Sequence, residues 1–461
     1  MSNITIHKSK CIITMDNNNS VLLDACIIIL NDKIIDVGKY HELIDKYPGS
    51  VIVDHGDSVI MPGLINAHSH SGLLRGTAEY LPLWEWLQVY VDPMHRVLNK
   101  DEAEAASYLC YSEQVLSGIT TTVDMWRFMD TAAEACRYIG NRVIIVPYVG
   151  EHHDYNFFDT LDDNENLINA VHESAAGRVN VWVGIEHMLY GTKDAYKRIV
   201  HLCNYYDTCF HTHSNETKDD VSYIKKSFGV DPIEIIYNHG LLSLKKTLLA
   251  HCVWLTDNEV KILADNNVGV AHNPISNMKL ASGCANIKNI ISSGIAVGIG
   301  TDGEKENNNM DLFDSVKTAS LLAKFNYGNT SVIDHWDLMK CITIEGARAI
   351  GMDDVIGSIE VGKKADFIVI NTNTPRLTPL LLHTNFNVHN NIIHSMKSED
   401  VCYVVINGEA VVIDGKLVNV DLSNIISSAN INAKNLLARR DQWLLDNNEV
   451  IKNRLNQPLE K

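Results

Sequence analysis

Met61-Pro62-Gly63-Leu64-Ile65-Asn66-Ala67-His68-Ser69-His70 is the stretch from which the chain is read. Pro-Gly opens a short apolar run, the pattern of a strand buried in an interior sheet. Side chains alternate along a strand, so His68 and His70 share one face. Two imidazoles then enter one space. Imidazole suits zinc, and a catalytic zinc site draws its other ligands from distant segments while keeping a position for water. A His-x-His pair alone is more often two ordinary histidines, so its weight depends on what the other segments supply.

Downstream, β-rich runs alternate with helical patterns, the rhythm of a parallel α/β architecture. The runs are Leu64–Ala67, Ile119–Met125, Arg142–Val149, Val179–Glu186, Thr208–Thr212, Thr247–Cys252, Val268–Asn273 and Ala296–Thr301. Asp101–Ser117 reads as a helix with an acidic N-terminal cap and Gly118 at the left-handed position after its end. Eight strand-then-helix units predict a (β/α)8 TIM barrel, whose chemistry lies at the C-terminal ends of the strands. Residues 1–60 and 357–420 share a β-rich, turn-punctuated texture. They predict one small β-sandwich domain formed by both chain ends around the barrel of residues 61–356, with 421–461 a helical tail.

The strand ends carry His68 and His70, then His187, then His213 with Glu216, then His251, then His272-Asn273-Pro274, and finally Asp302. Nearly every strand delivers a metal-compatible or titratable group to one rim, although the strands were assigned from apolar runs alone. Gly298-Ile299-Gly300-Thr301-Asp302-Gly303 formally matches a dinucleotide fingerprint. The residues that follow, Glu304-Lys305-Glu306-Asn307-Asn308-Asn309, read instead as an acidic polar loop unsuited to pyrophosphate. The His-x-Glu and Pro-Cys-x-x-Cys signature of cytidine-type zinc deaminases is missing.

With 461 residues and 46% hydrophobic content the chain can bury a large core. A net charge of −18 repels phosphate backbones and anionic membranes, so nucleic acid and membrane are excluded as partners and a small neutral or cationic substrate is favoured. No apolar run approaches the ~20 residues of a membrane span. The ten cysteines form no Cys-x-x-Cys pair and read as reduced thiols. Met1-Ser2-Asn3-Ile4-Thr5 lacks signal-peptide character. The expected location is cytoplasmic, and the expected assembly is a homo-oligomer, dimer or tetramer.

The chain resembles the amidohydrolase superfamily, in the branch that contains methylthioadenosine/S-adenosylhomocysteine deaminases and triazine chlorohydrolases. Six segments carry the likeness: Pro62 to His70, Leu73-Leu74-Arg75-Gly76, His213-Ser214-Asn215-Glu216-Thr217, Ala250-His251-Cys252-Val253, His272 to Leu280, and Gly300-Thr301-Asp302-Gly303. The resemblance implies that His68, His70, His213 and Asp302 bind one divalent metal ion, zinc first and iron second. Two-metal members carry a lysine at the end of the fourth strand. Here Val181 to His187 has none, so one ion is expected.

The reaction implied is hydrolytic deamination of a small aminated heterocycle or cyclic guanidine. Asp302 takes the water proton, His251 holds the nucleophile in line, and Glu216 protonates a ring nitrogen and then the leaving ammonia. His187, His95, Trp86 and Glu79 are the expected substrate contacts. Where nucleoside-processing relatives place a ribose-binding glutamate, this chain has His95, in Asp92-Pro93-Met94-His95, and the arginine ending their third strand is replaced within Val146-Pro147-Tyr148-Val149. A smaller substrate follows. The alternatives are a nucleoside-type deaminase acting on methylthioadenosine, S-adenosylhomocysteine or adenosine, a chlorohydrolase of a halogenated triazine-like ring, hydrolysis of a guanidine or amide, and a non-enzymatic scaffold.

Overall fold

Strands that are buried along their whole length organise the molecule: Leu64–His70, Ile119–Trp126, Arg142–Pro147, Phe210–Ser214, Thr247–His251 and Val268–His272. Burial on both faces is what helices on the outside of a parallel sheet impose. The computed structural model describes residues 4–77, 79–81 and 83–447.

Leu64–His70, Ile119–Trp126, Arg142–Pro147 and Val179–Val181 pair in that order, all parallel. Val183–His187, Phe210–Ser214, Thr247–His251, Val268–His272 and Ala296–Ile299 form a second parallel run. Two joints connect these runs into a ring. At Trp182 the backbone N–H donates to Ile145 at 3.0 Å, and the next N–H, of Val183, donates to Cys209 at 2.9 Å, so one strand changes neighbours in mid-course. At the other joint Gly300 donates to the His272 carbonyl at 2.9 Å and Thr301 to Asn66 Oδ1 at 3.0 Å, after which Asp302–Gly303 pairs with Leu64–His70. The result is the (β/α)8 barrel, with its fourth and eighth strands each split.

Several boundaries differ from the sequence reading. The fifth strand is Phe210–Ser214 rather than Thr208–Thr212, because the backbone ladder continues through His213 after the apolar run has ended. The third stops at Pro147. The helix before the second strand spans Lys100–Leu116, and its cap is Asn99, reciprocally bonded with Glu102, rather than an acidic residue. Gly118 is left-handed, with φ +88°. Residues expected as an acidic polar loop form a buried helical turn, Glu304–Asn307, in which Lys305 pairs with Glu306 and Glu304 accepts the Leu74 N–H. Gly269 has no room for a side chain: a Cβ there would lie 2.0 Å from the Ala349 carbonyl, where helix Ile344–Ala349 crosses the barrel.

Strands from both chain ends meet in one nine-stranded sheet. Its main path runs Lys416–Leu417, Glu409–Ile413, Val401–Ile406, Phe367–Ile370, Val59–Pro62, Ile4–Ile13, Val21–Leu30, Lys33–Lys39, and Val51–Asp54 joins Ile4–Ile13. Alternation puts Ile27 and Ile29 in an apolar cluster with Phe367 and Val369, and sends Cys26 and Ile28 to another with Ile6 and Leu43. A buried ion pair ties sheet to barrel: Arg142 Nε and Nη2 donate to Asp366 Oδ2 at 3.1 and 2.9 Å. Helix Leu422–Asp446 packs on Lys100–Leu116, with Arg439 paired to Glu102. The rest of the expected tail, 448–461, lies outside the described residues. All ten cysteines are free thiols. No helix among the described residues is long and apolar enough to cross a membrane.

Candidate metal and catalytic site

His68 and His70 reach the barrel mouth from one strand face, with rings 4.6 Å apart. His213 Nε2 lies 3.2 Å from the Nε2 of each. Asp302 Oδ1 completes the group, 3.4 Å from His68 Nε2 and 3.3 Å from His70 Nε2. All four residues are buried. Among the described residues, the sets able to hold an ion are His68, His70 and Asp302, and His68, His213 and His251. They share His68, so they mark one centre.

Hydrogen bonding at the far side of each ring fixes what the near side presents. His70 Nδ1 donates to the Met125 carbonyl and His213 Nδ1 to the Glu186 carbonyl, both at 2.6 Å. His211 Nδ1 donates to the Leu248 carbonyl at 2.9 Å, which leaves its Nε2 as the acceptor for His68 Nδ1 at 2.8 Å. With each Nδ1 carrying the proton, all three Nε2 atoms turn lone pairs toward one point. Burial pushes the pKa of His70 and His213 well below that of free histidine and lowers that of His68. Three lone pairs and a carboxylate oxygen at these separations repel one another unless a cation lies between them. The donor set therefore fits a divalent ion with N and O ligands.

Asp302 and His251 occupy left-handed backbone, with φ +62° and +73°, which turns both side chains over the centre and stores strain there. Burial pushes the Asp302 carboxyl up, but the imidazoles of His68, His251 and His70 packed around it prevail, and it lies well below the usual carboxylate range. Its Oδ2 accepts from Ser276 at 2.6 Å. His251 Nδ1 faces Asn277 Oδ1 at 2.8 Å, and its Nε2 lies 3.8 Å from both Asp302 Oδ2 and Glu216 Oε2. Burial lowers the His251 pKa, yet the two carboxylates outweigh it and hold the ring above its ordinary value. Glu216 accepts from Ser282 Oγ at 3.0 Å, and burial raises its pKa.

Beyond Glu216 lies a cavity of about 30 Å³ between Glu186, His187, His213, Tyr190 and Leu87. His187 accepts from the Leu189 N–H and its Nε2 lies 3.6 Å from Asp220 Oδ2. His95 stacks on Tyr148 at 4.7 Å and 17°, and edges Phe158 and Trp126. Neither of its nitrogens has a partner among the described residues, and the same holds for Trp86 Nε1. Glu79 does not join this group: its carboxylate accepts from Lys279 at 3.0 Å and Asn308 at 2.9 Å at the surface of the rim.

Sequence reading missed His211, Glu186, Ser276, Ser282 and Asn277. His211 had a signal, because His211-Thr212-His213 repeats the spacing of His68-Ser69-His70. Glu186 is the penultimate residue of Val183–His187, where burial raises its carboxyl to about 7 and Tyr148 donates to it at 3.2 Å.

A model of the amidohydrolase family matches residues 59–411. The 5-methylthioadenosine/S-adenosylhomocysteine deaminase of Caldanaerobacter subterraneus subsp. tengcongensis is 33% identical over 434 residues, 93% of this chain and 98% of that protein. The crystal structure of a zinc-bound adenosine deaminase from Xanthomonas campestris is similar with a TM-score of 0.88 at 25% identity, over 94% of this chain and 98% of its own. The zinc complex of atrazine chlorohydrolase from Arthrobacter aurescens is similar in fold, with a TM-score of 0.85 at 23% identity, over 93% of this chain and 100% of its own.

Proposed function

The chain belongs to the amidohydrolase family, and from that premise we propose that it is a metal-dependent deaminase of a compact amino-heterocycle or cyclic guanidine. Water adds at the C–N=C carbon, ammonia leaves, and a carbonyl remains. The observation that carries this reading is the position of His251 Nε2, 3.8 Å from both Asp302 Oδ2 and Glu216 Oε2, beside three convergent imidazole lone pairs.

In this reading His68, His70, His213 and Asp302 hold one divalent ion, zinc first and iron second. When bound, the ion supplies Lewis acidity and brings the pKa of water toward neutrality. Asp302, with Oδ2 turned to His251, accepts the proton of the attacking water. His251 holds that water in line with the amidine carbon. Glu216 protonates the ring nitrogen as the carbon becomes tetrahedral, which its raised pKa favours, and recovers a proton from the hydroxyl as the carbonyl forms, while the proton held on Asp302 goes to the departing ammonia. His187 contacts the substrate from the side of the small cavity.

A nucleoside-type deaminase is the second reading, favoured by the name of the 33% identical relative. Against it stands His95, buried and stacked where the resemblance expects a ribose-binding glutamate. The ten free thiols favour a reducing compartment, the cytoplasm in this reading. A homo-oligomer belongs to the same proposal and is tested by sedimentation. The function is tested by ammonia release from metal-replete protein across amino-pyrimidines, amino-triazines, purine bases and cyclic guanidines. Release from at least one compact ring supports it, and release from none of them contradicts it.

A further inference from the structure

Directly after the strand that bears Asp302, the helical turn Glu304–Asn307 buries three charged side chains: Glu304 is 1% exposed, Lys305 2% and Glu306 6%. Two of them have evident work. Glu304 Oε1 accepts the Leu74 N–H at 2.8 Å and so holds the segment after the first barrel strand. Lys305 Nζ lies 3.0 Å from Glu306 Oε1 and 5.4 Å from the Trp126 ring. Glu304 Oε2 has no partner among the described residues, and neither has Glu306 Oε2.

That oxygen sits in a place made for it. It lies over Gly303, where a Cβ would come within 2.1 Å of it, and Gly303 pairs in register with His70. Glu306 therefore lies against the strand segment that bears Asp302 and pairs with His70. Near its partner Lys305, Trp126 Nε1 and both nitrogens of His95, whose ring is 5.1 Å from that of Trp126, have no partner among the described residues. Buried polar atoms without partners cost stability and collect where a ligand is to supply the missing bonds.

The geometry points to Glu306 as a specificity-determining residue, whose free oxygen accepts a charge-assisted N–H from a substrate amidinium or guanidinium and so selects cationic rings over neutral rings of the same shape. The inference rests on the proposed function for where the substrate lies; a ring that arrives as the cation already carries the ring-nitrogen proton, so for it Glu216 serves only the later proton transfers. Glu304 and Glu306 flank Lys305, so the carboxyl oxygens of the turn outnumber its one cation and offer an acceptor to an arriving N–H. Burial raises the Glu306 carboxyl to about 8, which an approaching cation opposes by favouring the ionised form. The chain's net charge of −18 favours the same class of ligand at long range.

The test is binding, read by titration calorimetry on metal-loaded protein with two five-membered rings. One is cationic 2-methylimidazoline, an amidinium with no amino group to lose, and the other is neutral 2-imidazolidinone, which has a carbonyl in place of the amidinium. Wild type is expected to bind the cation at least 10-fold more tightly. Glu306→Gln is nearly isosteric, and it should reduce that preference to 3-fold or less by weakening the cation alone. Glu306→Asp keeps the charge and should retain most of the preference, which separates lost charge from lost fold. A preference that survives in Glu306→Gln, or a wild type without one, overturns the inference. If the Glu306-dependent preference holds while no ring of the ammonia-release panel is deaminated, the inference stands and the deaminase reading fails.

Discussion

His68 and His211 are joined ring to ring, with His68 Nδ1 2.8 Å from His211 Nε2 and the far nitrogen of His211 held by the Leu248 carbonyl. This relay orients His68 and fixes its tautomer, although His211 itself does not face the centre. Such outer partners matter to metal affinity by about 10–100-fold. His211→Leu should therefore weaken zinc binding by about that factor, measured by competition with a chelator. Unchanged affinity would mean that the relay does not set the His68 lone pair.

Glu216→Gln keeps the shape and the Ser282 contact but removes the proton. Turnover should fall by about 10²–10⁴ while metal content is unchanged. A loss of only a few-fold in steady-state rate would place the proton path elsewhere.

The aromatic seat of His95 yields a prediction about substrate. An imidazole cannot make the paired hydroxyl contacts of a carboxylate, and sites built for such hydroxyls discriminate strongly. Adenosine, methylthioadenosine and S-adenosylhomocysteine should be poor substrates, and His95→Glu should raise their kcat/KM relative to the best compact ring. If S-adenosylhomocysteine or methylthioadenosine is the best substrate of the wild type, the nucleoside reading replaces the one proposed.

In the sheet built from both chain ends, His7 Nδ1 lies 3.0 Å from His55 Nε2. Burial, with the charge of His55, lowers His7 to about 3, and burial lowers His55 to about 4. Below the ordinary histidine value of about 6.5 the unfolded chain takes up protons that the folded rings refuse, so stability falls with pH across that window. The melting temperature should drop between pH 7 and pH 4.5, and a double His7→Leu, His55→Leu variant should drop less from its own pH 7 value. Equal slopes would show that the pair does not contribute.

Much of this was legible in the sequence because the barrel writes itself in apolar runs and its chemistry in the residues just after them. His68, His70, His213, His251, Glu216 and Asp302 stand at or just after strand ends in the sequence, and they lie together in the structure. What stayed hidden depends on pairing across distance. His211 reads as a strand residue until Leu248 and His68 are seen on either side of it. The split of the fourth strand at Trp182 follows from which neighbour supplies the next carbonyl. Glu304 to Glu306 look like solvated charge, because polarity alone does not show that Leu74 and the Lys305–Glu306 pair are waiting inside. Glu79 lies near the motifs in sequence and spends its carboxylate on Lys279 and Asn308 instead.

The chemistry proposed for this site requires one centre that holds one ion. The most direct measurement is ammonia release by chelator-stripped protein, with a compact amino-heterocycle as substrate, titrated with zinc or ferrous iron. Activity should be absent from stripped protein, rise linearly and saturate at one equivalent, with Asp302→Ala inactive at every ratio. Full activity in the stripped protein, or saturation at two equivalents with a modified lysine bridging the ions, would contradict it.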